Sequence, residues 1–168
     1  MKNLWAPWRM AYVEAASGDE NKSEVDRAAC IFCHYPGQDE KHDRENLLLH
    51  RGERAFVMLN RYPYSNAHLL VVPYAHERDL AKLLPDMHDD LFRLTTRMTE
   101  LLRHAVNAEG INVGMNLGRC AGAGIADHLH VHLVPRWNGD TNFMPVLAEA
   151  KVIGEHLLTT YDRLKSLL

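Results

Sequence analysis

Three histidines on alternate residues, His128, His130 and His132, sit in a run reading Asp-His-Leu-His-Val-His-Leu-Val-Pro-Arg-Trp. Imidazole changes charge near neutral pH and serves as nucleophile, acid, base or metal ligand. Side chains two apart on a strand share a face, so all three rings should point one way with Leu129, Val131 and Leu133 buried behind them. Such a row can do covalent chemistry, or it can hold a metal, since His-x-His places two ligands on one face. Spacing leaves both open. The glycine-rich stretch from Gly118 to Gly124 just before the row favours phosphate chemistry. Glycines there permit positive φ and close backbone approach, so N–H groups from Gly122, Ala123 and Gly124 can converge on an anion. The middle imidazole, His130, is flanked on both sides and is the natural nucleophile. A second cluster of candidate ligands is Cys30-Ile-Phe-Cys33, whose spacing lets both thiolates reach one tetrahedral zinc. No thioredoxin-like pattern surrounds the pair, which argues against a redox role.

Positioning these groups requires a sheet. Residues 46–50 and 55–59 read as a hairpin turning at Arg51-Gly52-Glu53, and 68–73 (His-Leu-Leu-Val-Val-Pro) as a buried strand. Pro85 and Asp86 open a helix to about Asn107, with Met87, Leu91, Leu94, Met98, Leu101 and Ala105 as its apolar stripe. Gly110 is a stop signal, and 111–116 reads as a strand. Val152, Leu157, Tyr161, Leu164 and Leu168 suggest a C-terminal helix, while residues 16–28 and 36–45 read as mobile polar connections. Strands with helices packed on one face give an α+β domain.

The 168 residues suffice for one domain with a real core. A net charge of −3 gives no general attraction to nucleic acid or anionic membranes. No apolar run approaches the ~20 residues of a membrane span, and the first ten residues lack the apolar core of a signal peptide. A cytoplasmic protein is the expectation. Three cysteines, an odd number, do not suggest a secreted disulfide framework.

His128-Leu-His130-Val-His132-Leu-Val resembles the signature of the histidine triad superfamily of nucleotide hydrolases and transferases. Residues 57–73 (Val-Met-Leu-Asn-Arg-Tyr-Pro-Tyr-Ser-Asn-Ala-His-Leu-Leu-Val-Val-Pro) resemble that family's nucleoside-binding region, and 112–118 the strand entering its phosphate loop. Residues 135–143, with Leu4-Trp5-Ala6-Pro7-Trp8-Arg9-Met10, resemble the bacterial diadenosine tetraphosphate phosphorylase-like branch.

The resemblance implies a five-stranded antiparallel sheet per subunit, commonly joined to a second across a two-fold homodimer. It divides the chain into an N-terminal extension (1–29), a zinc knuckle region (30–50), a catalytic core (51–143) and a C-terminal helix (144–168). By the same analogy His130 attacks the α-phosphorus of a nucleotide and forms a nucleotidyl-histidine, with His128 and His132 flanking the phosphate. Asn60 matches a ribose-binding position, Asn116 an amide near the phosphates, and His68 a histidine supporting the triad; Trp137 falls in the nucleotide-binding set. Relatives suggest a structural zinc held by Cys30, Cys33, His76 and His128. In that case His128 is withdrawn from phosphate contact. The expected partner is a dinucleoside polyphosphate or an AMP ester. Residues 121–126 carry no Ser, Thr or Gln, unlike many relatives, which leaves water or phosphate open as the acceptor. The competing reading is a nucleotide-binding regulatory module with little turnover. Trp5, Trp8 and Tyr12 read as a packing anchor, the remaining histidines as surface groups, and Cys120 as a small loop residue.

Overall fold

A computed structural model describes residues 30–140 and 153–168 of the chain. Five strands form one antiparallel sheet: β1 (Leu48–Arg51), β2 (Ala55–Leu59), β3 (Leu69–Pro73), β4 (Gly110–Gly114) and β5 (Val131–Arg136), in the spatial order β1-β2-β3-β5-β4. The helices are α1 (Ile31–His34), α2 (Asp43–Asn46), α3 (Pro85–Val106) and α4 (Leu157–Lys165).

Strand alternation sorts the apolar side chains onto two faces. Ala55, Val57, Leu59, Leu69, Val71, Val131 and Leu133 pack on the face covered by α3, where Leu91, Leu94, Met98, Leu101 and Leu102 meet them. α3 starts with Pro85 in its first turn, where a missing N–H costs nothing, and ends with Asn107 in the left-handed region at φ 50°. The helix therefore stops at Val106, earlier than Gly110 suggests, because asparagine tolerates that conformation. α4 lies beside it and adds Tyr161 and Leu164 to the same core; the Tyr161 hydroxyl donates to the Leu48 carbonyl at 2.9 Å.

The opposite face carries Leu48, Phe56, Met58, Leu70 and Val72, with Cys30 and Phe32 of α1 packed on them. One helical turn thus sits across the sheet from the long helix. Its position follows from the single fully buried ring of Phe32.

Residues 36–45, read as a mobile connection, are short helical turns instead: Tyr35–Gly37, Glu40–His42 and α2. Arg51 holds them. Its guanidinium pairs with Asp43 at 2.7 Å and donates to the Pro36 and Gln38 carbonyls. Polar composition suggested solvent, but here the polar groups satisfy one half-buried arginine. The hairpin forms, but Arg51 belongs to β1 opposite Phe56, so the turn is residues 52–54 and not 51–53, and the register shifts between Leu48 and His50. Trp5, Trp8, Tyr12 and the N-terminal motif lie outside the described residues, as do Val152 and residues 141–143 of the triad's tail. No helix among the described residues is long and apolar enough to cross a membrane.

Candidate functional site

β5 pairs with β3, Leu70 opposite His132 and Val71 opposite Val131. The ladder stops there, three residues short of the first histidine. β3 ends at Pro73, which has no N–H to offer, and the Pro73 carbonyl accepts from His128 Nε2 at 2.8 Å instead. The backbone still runs alongside, since Leu129 N–H donates to the Glu77 carbonyl at 2.7 Å. Alternation therefore survives: Leu129 and Val131 go to the core, and the three imidazoles to the face that carries Phe32.

The middle imidazole is set by its own chain. His130 Nδ1 donates to the His128 carbonyl at 2.9 Å, which fixes the proton on Nδ1 and leaves the Nε2 lone pair without a hydrogen bond among the described residues. Burial lowers its pKa, and the carbonyl contact only partly opposes this. A neutral imidazole with one unengaged ring nitrogen has the chemistry a nucleophile needs.

His132 is governed by a chain of hydrogen bonds. Tyr64 N–H donates to His68 Nδ1 at 3.1 Å, so the His68 proton is on Nε2, which donates to His132 Nδ1 at 2.9 Å. The His132 proton is consequently on Nε2. That atom is buried with no partner among the described residues. A buried donor without an acceptor is costly and marks where an anionic oxygen would be received. Burial first, and His130 second, lower the His132 pKa to about 4, so the ring is neutral at pH 7. The Tyr64 ring stacks on His132 (centroids 5.8 Å, 24°) and covers His68 at 4.8 Å.

His128, on the same face, turns toward the cysteines. Its Nδ1 lies 3.4 Å from Cys30 Sγ and 3.6 Å from Cys33 Sγ, and His76 Nδ1 lies 3.2 Å from Cys33 Sγ. All four ligand atoms fall within 4.8 Å of one another. A tetrahedral zinc with ordinary Zn–S and Zn–N bonds spaces sulfur and nitrogen about 3.6 Å apart, so the donor set fits that ion. The Nε2–H to Pro73 contact gives His128 the outer partner that metal-bound imidazoles characteristically have. Burial raises the Cys30 thiol pKa, and the backbone N–H groups of Cys33 and Phe32 only partly oppose this; a cation would reverse that balance. With both ring nitrogens engaged, His128 has none to give a phosphate. Of the two roles expected of His128, this geometry favours candidate metal ligand over phosphate contact.

The glycine-rich loop behaves differently from expectation. Gly118 and Gly122 have φ of +88° and +91°, but Gly124 does not adopt positive φ. The N–H groups of Ala121 and Ala123 bond to the Gly118 carbonyl and that of Gly122 to Arg119. The donors of Gly122 and Ala123 therefore close the loop on itself. Asn116 Nδ2 donates to the Gly122 carbonyl at 3.3 Å and ties β4 to the loop. Asn60 follows β2; its Oδ1 accepts from Tyr62 N–H and its Nδ2 lies 3.4 Å from His68 Nδ1. Trp137 is on the other face. Odd-numbered residues of β5 point to α3, and the indole N–H donates to the carbonyls of Val106 and Asn107. It holds the end of α3 and does not line the histidine row.

Sequence reasoning did not single out Phe32 or Tyr64, which touch the histidines directly. Both were inside quoted motifs, as the apolar residue between two cysteines and an aromatic four residues before His68.

Residues 41–139 match the model of the HIT domain. The chain belongs to the HIT family. A protein of Mycobacterium tuberculosis named AP-4-A phosphorylase is 36% identical over 160 residues, covering 95% of this chain and 80% of the relative. The adenosine 5'-monophosphoramidase of Candida albicans is 30% identical over 113 residues, 65% of this chain and 71% of the relative. Among solved HIT structures, a zinc-bound histidine triad family protein from Mycobacterium smegmatis superposes with a TM-score of 0.64 at 23% identity, covering 83% of this chain and 92% of that one. The last comparison bears on the fold: the antiparallel five-stranded sheet with its helices is that of the family.

Proposed function

We propose that this HIT protein is a nucleotidyl-transfer enzyme that cleaves dinucleoside polyphosphates or adenylated compounds through a nucleotidyl-His130 intermediate. The observation that carries this is the His130 tautomer, fixed by the His128 carbonyl so that Nε2 alone is available for attack. The 36% identity to the AP-4-A phosphorylase over 95% of the chain supports the substrate class.

In this reading Nε2 attacks the α-phosphorus. The P–O bond to the leaving nucleotide breaks, and the departing oxygen takes the electron pair. His130 keeps its Nδ1 proton and becomes an imidazolium, whose charge the His128 carbonyl stabilises. His132 Nε2–H donates to a phosphate oxygen as negative charge accumulates there, with His68 and Tyr64 holding the ring. Water or inorganic phosphate then attacks the phosphorus, and the P–N electrons return to Nε2. Asn60 is placed to contact the ribose hydroxyls, and Asn116 to hold the loop closed by Gly122 and Ala123.

Zinc at Cys30, Cys33, His76 and His128 would be structural, pinning α1 to the sheet. Three unpaired cysteines among the described residues suit a reducing, cytoplasmic setting. The outer edge of β4, with Val113 half-exposed, supports pairing with a second copy in a homodimer, since an open edge is a template for another strand.

The test is incubation with diadenosine tetraphosphate, with and without inorganic phosphate. ADP formed only with phosphate identifies phosphorolysis; AMP plus ATP identifies hydrolysis. His130→Ala should abolish either while leaving nucleotide binding and folding intact. Near-normal turnover by that variant would overturn the assignment.

A further inference from the structure

The strongest contact made to the nucleophile by a residue with no assigned role comes from α1. The Phe32 ring is buried to 2% exposure and lies 5.1 Å from the His130 ring at an interplanar angle of 52°. The same ring meets His128 at 5.4 Å and 79°. Its backbone is held between Cys30 and Cys33, whose turn is closed by Cys33 N–H on the Cys30 carbonyl at 3.1 Å. Leu70 and Val72 back it from the sheet.

We propose that Phe32 is a positioning residue for nucleotidyl transfer, clamping the His130 ring in its attacking orientation and stabilising, through its π system, the cation that forms there. This rests on the nucleotidyl-His130 reading above. When Nε2 bonds to phosphorus and the leaving group departs with its electron pair, the retained Nδ1 proton makes the ring cationic. The site offers that cation one carbonyl, from His128, and no carboxylate contacts it among the described residues. An aromatic quadrupole attracts a desolvated cation that meets its face within about 6 Å, and the tilted Phe32 ring lies 5.1 Å from His130 at 52°. Two consequences follow from the geometry. The tilted ring opposes rotation of His130 about χ2, which would swap Nδ1 with Cδ2 and Nε2 with Cε1, break the Nδ1–H bond to the His128 carbonyl and so release the ring to either tautomer. It also keeps water off the Nδ1–H to carbonyl bond, so the bond acts in a low-dielectric environment where it is strongest.

The test separates charge from packing. Phe32 is replaced in the full-length protein by mono-, di- and trifluorophenylalanine, which keep the ring's shape and apolar character while progressively removing its negative face. Rapid-quench measurements with diadenosine tetraphosphate labelled in its α-phosphate then read how fast label attaches to the protein. The expected result is a monotonic fall reaching about tenfold at three fluorines, with melting temperature and KM unchanged. Phe32→Leu should lower the rate at least as far, and its histidine ¹⁵N spectrum should show His130 exchanging between tautomers. Rates unchanged across the fluorine series would overturn the charge role; a single His130 tautomer in Phe32→Leu would overturn the clamping role. Absence of any trapped label in the unmodified protein would instead refute the nucleotidyl-histidine reading itself, so the two failures are distinct.

Discussion

Replacing His68 by alanine tests the hydrogen-bond chain that fixes His132. His68 is completely buried. Its removal deletes the 2.9 Å bond to His132 Nδ1 and the acceptor for Tyr64 N–H. Truncation to the β-carbon removes about 65 Å³, which at about 24 cal/mol per Å³ costs about 1.5 kcal/mol if the site does not collapse. The lost hydrogen bonds add about 1–1.5 kcal/mol, at the low end because Tyr64 is half-exposed and water can reach its amide. The sum is about 3 kcal/mol, or a fall of about 6–12 °C in melting temperature for a chain of this size. Catalysis should suffer separately. With His132 released, its Nε2–H is no longer aimed, and loss of an aimed donor costs about 10²-fold or more in kcat when complete; a misaimed one should cost about 10–100-fold. Calorimetry and steady-state turnover of diadenosine tetraphosphate read the two effects. A variant that melts as expected yet turns over within about twofold of the parent would show that the chain is structural only. A variant with unchanged melting would refute the buried hydrogen-bonded arrangement itself.

Other outcomes follow from the same geometry. His132, with its pKa lowered to about 4 by burial, contributes stability fully above its unfolded pKa of about 6.5. That contribution is lost as pH falls toward 4, so His132→Asn should flatten the melting temperature between those pH values relative to the parent. An unchanged profile would show that His132 does not stay neutral in the fold. Stripping metal with a chelator should remove about one zinc per chain. It should lower the melting temperature by about 8–16 °C, from about 4 kcal/mol of linkage at a thousandfold excess over Kd; freshly purified protein without zinc would end the metal reading. Trp137→Phe, which loses only the indole bonds to the end of α3, should lower stability by about 1 kcal/mol. It should leave KM for nucleotide unchanged, and a raised KM would return Trp137 to the binding pocket.

The sheet and its long helix were legible because period-2 and period-3.6 patterns are strong where one face is buried. Leu91, Leu94, Met98 and Leu101 in α3, and the alternation of Leu129, Val131 and Leu133 against the histidines, are examples. Grouping of Cys30, Cys33 and His76 with His128 was legible only by resemblance, since nothing local to residue 76 signals a neighbour 43 residues earlier. Two features could not be read locally. The segment 36–45 looks solvated because its partner, Arg51, lies beyond it and reaches back. The phosphate loop looked like a cradle of N–H groups because composition reports that glycines can turn, but not which carbonyls their neighbours will meet. For Trp137 a simpler rule applies: parity along β5 puts odd-numbered residues on the helix side, and the rule that oriented the histidines also orients the indole away from them.

His128 does two jobs with two parts of one residue. Its ring reaches the cysteines while its main-chain oxygen steers the His130 ring, the proposed nucleophile. Substituting the side chain therefore leaves the steering oxygen in place, and any activity lost on exchanging this histidine measures how far a peptide plane drifts once its anchor is cut. Position 128 is a hinge pin joining an anchoring cluster to a reactive centre, and the tolerance of the second to damage in the first is set by the stiffness of that single link.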